Sequence, residues 1–120
     1  MTREKLDLSA LSDIDGLMGA AVVDMESGMA LGMFGTGHGV DLEIAAAGNS
    51  EVMRAQYKAM SNVGLEGVDD VLITLGKQYH LLRPLSNRKH MFIYVVLNRK
   101  GSNLAMARLR LRDYESELNL

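Results

Sequence analysis

The sequence predicts an α+β fold with the element order α-β-β-α-β-β-β-α. Three observations carry that reading. Residues 39–63, GVDLEIAAAGNSEVMRAQYKAMSNV, form the one long stretch with helical spacing and have strand-like runs on both sides. HMFIYVVL at 90–97 is the most hydrophobic run and suits a strand buried on both faces. Leu104, Ala107, Leu111, Tyr114 and Leu118 recur at intervals of three and four, which makes one apolar stripe on a closing helix.

The elements follow in order. Residues 2–11 read as a short helix, with Thr2 as its cap and Leu8 and Leu11 on one face. Asp13 to Gly16 break it. LMGAAVVD at 17–24 and the run at 29–34 flank the turn Met25-Glu26-Ser27-Gly28, which predicts a hairpin. A glycine-rich loop then enters the long helix, but Val40 stands where a dinucleotide loop needs its third glycine. Asp41 and Glu43 in the first turn suit the helix dipole and would repel a phosphate, so the loop reads as a connection. VDDVLITL at 68–75, QYHLLRPL at 78–85 and the run at 90–97 read as three strands separated by polar turns. Pro84 lacks a ladder donor, so its strand should end there or lie beside a free edge. In the closing helix, capped by Ser102 or Asn103, the Arg108, Arg110, Arg112, Glu115 and Glu117 side chains are expected to face solvent.

At ~100° per residue the long helix divides into three sectors. Ile44, Ala45, Gly48, Val52, Ala55 and Ala59 form one apolar face; Leu42, Ala46, Met53, Tyr57 and Met60 form another; Asn49 and Gln56 fall between them. Glu43, Ser50, Arg54, Lys58 and Ser61 occupy an arc too narrow for a helix that covers one sheet with its back to water. A chain of 120 residues has one sheet to offer and few helices to cover the remainder. The second surface is therefore expected to meet another copy of the chain. The candidate interface set is Leu42, Ala46, Met53, Tyr57 and Met60, although the wheel alone leaves open which face meets the sheet.

Composition removes several classes of function. The length fits a single domain over residues 1–120, and 48% hydrophobic with 23% charged residues is ordinary for a globular chain. The absence of cysteine excludes disulfides, thiolate nucleophiles and thiolate metal sites, and fits a reducing cytoplasm. No run approaches the ~20 apolar residues of a membrane span. Residues 1–62 carry four Lys/Arg against nine Asp/Glu, and residues 63–120 carry nine against six. That asymmetry can steer a protein partner but is far from a nucleic-acid footprint.

Catalytic patterns are missing. His38, His80 and His90 have no spacing that sets two on one helical face, so no metal site is expected. Asp13 with Asp15, and Asp69 with Asp70, read as solvated ends, and there is no G-x-S-x-G elbow. No catalytic residue and no cofactor are assigned. Arg83, Arg88 and Lys89, at strand ends that a hairpin joins, form a candidate docking patch for an acidic protein surface. A small-molecule sensor would require a cavity lined by residues such as Met33, Phe34 and Met91, and helices on both faces are expected to leave little room for one.

IDGLMGAAVVDMESGMAL at 14–31, LEIAAAG opening the long helix, VLITLGKQYHLLRPL at 71–85 and FIYVVLNRKGSNLAMARLRL at 92–111 together resemble the Roadblock (dynein light chain) family over nearly the whole chain. The resemblance implies a profilin-like sheet of five antiparallel strands with helices on both faces. It implies dimerisation through the long helix and the 68–75 edge strand, which adds Asp70, Leu72 and Thr74 to the interface set. It further implies a non-enzymatic partner for a small Ras-like GTPase, or else a scaffold subunit in a motility or signalling complex. Arg54 and Arg88 are the arginines that charge alone nominates as contacts to such a GTPase.

Overall fold

A computed structural model describes residues 6–36 and 39–118. A short 3₁₀ helix, Ser9–Asp13, is followed by β1 (Leu17–Asp24), β2 (Ala30–Gly35), α1 (Leu42–Asn62), β3 (Val71–Thr74), β4 (Gln78–Pro84), β5 (Met91–Asn98) and α2 (Leu104–Glu117). The expected order holds, with one correction at the start. Residues 1–5 of the expected first helix lie outside the described residues, residues 6–8 are not helical, and the turn begins at Ser9. Asp7 explains the late start, because its carboxylate accepts from the Ser9 N–H at 2.9 Å and forms an Asx turn that competes with a helix.

The five strands form one antiparallel sheet in the order β2-β1-β5-β4-β3. The most hydrophobic run, β5, is at its centre, and every residue from Met91 to Leu97 is buried. Alternation along β5 sorts the core into two halves. Ile93, Val95 and Leu97 point to the side covered by the 3₁₀ segment and by Ala107, Leu111 and Tyr114 of α2. Phe92, Tyr94 and Val96 point to the side covered by α1. Pro84 pairs with Phe92 at the end of β4, past the last β3–β4 pair at Val71 and Leu82, so its missing N–H leaves no gap in a ladder.

Both helices begin on side-chain caps. The Asp41 carboxylate accepts from the Glu43 and Ile44 N–H groups at 3.1 Å, and the Asn103 side-chain oxygen accepts from the Met106 N–H at 3.1 Å. The segment before the 3₁₀ turn is held by the Leu6 N–H on the Leu31 carbonyl and the Tyr114 hydroxyl on the Asp7 carbonyl. That contact is close because residue 32 is glycine: a Cβ there would be 2.5 Å from the Leu6 carbonyl oxygen.

Candidate functional site

The geometry of α1 settles which of its faces is internal. Leu42, Ala46 and Met53 are 7%, 0% and 0% exposed and pack with Ala21, Val23, Phe92 and Tyr94 of the chain's own sheet. The interface expectation for these three residues is therefore corrected, since sheet strands already occupy their surface. Tyr57 and Met60, further along the same face, are half-buried. On one flank Ala47 and Ser50 lie against Gly28 of the β1–β2 turn, and the Arg54 guanidinium donates to the Met25 carbonyl. That bond occupies one nitrogen of the arginine nominated for GTPase contact.

The other apolar face is open. Ile44 is 71% and Val52 38% exposed, Gly48, Ala55 and Ala59 are exposed, and a Cβ built on Gly48 meets no atom within 4 Å. Glycine in a helix interior costs about 1 kcal/mol relative to alanine, so here the protomer has an apolar stripe that a backbone can approach closely.

The edge strand β3 bonds to β4 on one side only. Its alternation divides the second part of the expected set, of which Asp70 lies just before the strand. Leu72 packs toward the α2 half of the core, while Val71 and Ile73 pack toward the α1 half. Asp70 is held by Arg108 of α2 through two bonds, at 2.8 and 3.2 Å, and this pairing raises the Arg108 pKa. Thr74 is exposed. On the α1 side, the residues β3 presents are Val71 and Ile73. Because side chains alternate, an assignment shifted by one residue selects the opposite surface.

The basic patch also changes. Arg83 is tied by its Nε to Glu115 at 3.1 Å, and the same carboxylate accepts from the Ser86 backbone N–H at 3.0 Å and from the Ser86 hydroxyl. Arg88 and Lys89 remain exposed on the β4–β5 turn. Glu115, Arg108 and Arg110 were expected in solvent. Instead Glu115 is 8% exposed, Arg108 binds Asp70, and Arg110 binds Asp13 at 3.0 Å. Arg83 lies in a groove of about 660 Å³ between the end of α1 and the β4–β5 turn. Its walls include Tyr57, Met60, Leu65 and Pro84, with Lys89 balanced by Glu66 and Asp69. Met33, Phe34 and Met91, the residues named for a sensor cavity, do not line this open groove.

Burial pushes the Glu115 carboxyl up, but the bonds from Ser86 and Arg83 outweigh it and hold the pKa below its ordinary value of 4.5. A depressed carboxylate adds stability that is full above the ordinary pKa and is lost as pH falls through the folded-state value. Glu115→Ala should accordingly lower stability at pH 7 by about 2 kcal/mol, from the loss of charge-assisted bonds. Urea unfolding of the variant and the parent should converge as pH is taken below the ordinary carboxylate range.

A polar chain that sequence reading missed runs beneath α1. The Tyr94 hydroxyl lies 2.8 Å from His80 Nδ1, and His80 Nε2 lies 2.9 Å from Gln78 Oε1. Burial pushes the Tyr94 phenol up to about 12, offset in part by Asn49, and lowers the His80 pKa from 6.5. The signals were faint: Asn49 sits between two apolar sectors, and His80 shares a strand face with Leu82.

A profilin-like five-stranded antiparallel sheet, with the long helix on one face and the closing helix on the other, is the architecture of a Roadblock/LC7 domain. Particular proteins share it. The crystal structure of a Roadblock/LC7 domain from Streptomyces avermitilis superposes with a TM-score of 0.82 at 14% identity, over 95% of this chain and 94% of that one. An MglB with a tetrameric arrangement gives 0.77 at 13% identity, over 92% and 79%. The gliding protein MglB of Thermus thermophilus gives 0.74 at 13%, over 89% and 78%. No family model and no curated protein matches the sequence. Among the described residues, no helix is long and apolar enough to cross a membrane, and no group of three or more His, Cys, Asp or Glu could hold a metal ion.

Proposed function

We propose that this protein is a homodimeric, non-catalytic regulator of a small Ras-like GTPase in the cytoplasm, folded as one domain. The observation that carries the reading is the open stripe Gly48-Val52-Ala55-Ala59 on α1, continued by the half-buried Ala45, in a chain with the Roadblock/LC7 fold. Ala45 and Ala59 lie seven residues to either side of Val52. Two antiparallel copies of α1 crossing there would set Ala45 against Ala59, with Gly48 at a point of close approach. The free edge of β3 would run alongside its twin, with Val71 and Ile73 beneath the helices. Gln56, Tyr57, Met60 and Thr74 border this seam, and the exposed Arg88 and Lys89 are retained as the docking contacts for an acidic surface of the GTPase.

The pairing supplies a wide, symmetric platform, which a regulator without catalytic groups needs in order to hold a partner's mobile loops. The tetrameric arrangement of one MglB is a precedent for self-association on this fold. The experiment is to add the protein to the Ras-like GTPase encoded nearest to it and to measure GTP hydrolysis and nucleotide release. A several-fold change in either rate is expected. Arg88→Ala with Lys89→Ala should reduce the effect by weakening encounter, most visibly at low salt. If the GTPase is retained on the immobilised dimer with both rates unchanged, the protein is a scaffold of a motility or signalling complex. If it is not retained at all, the GTPase reading fails.

A further inference from the structure

We propose that the groove between the end of α1 and the β4–β5 turn is a docking site for an extended segment of a partner protein, one that carries apolar side chains between an acidic and a basic residue. The residues that line the groove all belong to one protomer, so the site is complete before copies pair.

The groove exists because two neighbouring strands stop at different places. The last β3–β4 pair is Val71 with Leu82, whereas β4 runs on to Pro84. Arg83 and Pro84 are therefore left without a strand on that side, and a gap of about 660 Å³ opens around the sheet edge, from Tyr57 and Met60 of α1 to Glu115 of α2. That volume is within the range of sites that seat a small ligand or a few side chains. Hydrogen bonding alternates along β4: the Leu85 N–H bonds Met91 on the β5 side, which turns the Pro84 carbonyl toward the gap. Pro84 has no N–H, so this edge offers an acceptor only. An incoming chain can meet it with one N–H but cannot continue a ladder along it.

The apolar wall is preformed. Gly64, at φ 77°, ends α1 in the left-handed conformation, and the Leu65 N–H returns to the Met60 carbonyl at 2.9 Å. The cap fixes Leu65 on the same wall as Met60 and Tyr57, yet leaves it 58% exposed. A leucine held in place with most of its surface in water has no ordering left to undergo when an apolar side chain covers it.

The charges around this wall are sorted by sign. Glu66 and Asp69 stand on the segment between α1 and β3, and Arg83 and Lys89 on β4 and the turn after it. Glu66, Asp69 and Lys89 are exposed and enter no ion pair among the described residues. Arg83 uses its Nε on Glu115, which holds the side chain at 20% exposure and leaves its terminal N–H groups for a carboxylate or carbonyl of the guest. With Glu115 balancing Arg83, the guanidinium supplies direction and Lys89 the net positive charge. A segment of one sign is repelled by one side of the groove, and a segment with both signs is accepted in one orientation.

The test is fluorescence anisotropy of labelled peptides with a fixed acidic, apolar, apolar, basic core, in both chain directions and with randomised flanks, added to the full chain. Saturable binding is expected, with amide NMR shifts centred on Leu65, Asp69 and Arg83. Leu65→Asp, at an exposed position, should keep the urea midpoint and weaken binding by about tenfold or more. Replacing the acidic residue of the peptide by its amide should cost affinity on wild type and little on Lys89→Glu, a variant on an exposed turn. Binding that Leu65→Asp leaves unchanged overturns the proposal, as does the absence of binding by any peptide of the set. Displacement of the peptide by free leucine at equal concentration also overturns it and makes the groove a small-molecule site. Binding confined to conditions in which sedimentation shows a monomer overturns it too, and gives the groove to a second copy of the chain.

Discussion

Val52→Arg is expected to yield a folded monomer, and Met53→Arg, one residue on, a protein that barely folds. Val52 is 38% exposed on the open side of α1, while Met53 is fully buried against the sheet with Phe92 and Tyr94 in the same cluster. An arginine at 52 replaces a β-branched residue on a helix surface, so protomer stability should stay within about 0.5 kcal/mol of the parent. The same arginine would stand on the proposed two-fold axis, facing its own copy with like charge. A central contact of that kind is worth about 2 kcal/mol or more, so the dimer constant should weaken by at least ~30-fold. At 53 the guanidinium would have to displace core packing and lie unpaired beside aromatic rings. The cost should be about 4 kcal/mol or more, a large share of a domain's total stability. Sedimentation and urea unfolding on the two variants separate the outcomes. An unchanged dimer in Val52→Arg would remove the basis of the proposed function, and a stable Met53→Arg would contradict the orientation of α1.

Gly32→Val is the other substitution with a large expected effect. Even a Cβ at this position would come within 2.5 Å of the Leu6 carbonyl and 2.8 Å of a Leu8 methyl. The first of these is backbone and cannot step aside without moving the segment. Two further methyls should push residues 6–8 off the sheet, breaking the Leu6–Leu31 and Tyr114–Asp7 bonds and exposing Leu8 and Leu11, which are 1% and 0% exposed. Overpacking costs typically about 1–3 kcal/mol, and loss of two buried leucines places this case at the upper end, about 3 kcal/mol. A fall in Tm of about 10 °C is expected for a domain of this size, with faster proteolysis near residue 7. Gly48→Ala is the control. With no atom near its Cβ, the protomer should gain up to about 1 kcal/mol of helix stability, whatever happens to self-association.

The sequence was sufficient wherever a repeat of two or 3.6 residues ran long enough to be read. Such runs placed α1, α2, β1, β4 and β5 to within a few residues, identified 90–97 as the central strand, and divided α1 into two apolar faces. They could not say which face turned inward, because Leu42-Ala46-Met53 and Gly48-Val52-Ala55 are both apolar and local spacing carries no direction toward the sheet. The sheet made that choice: the longer side chains fill the gap above Phe92 and Tyr94, and the small ones are left outside. The parity of β3, the burial of Glu115 against Ser86 and the Tyr94–His80 pair likewise came only from tertiary structure. The last two join residues at least 14 positions apart through one or two polar atoms, and a polar atom announces its partner only when the fold has brought the two together.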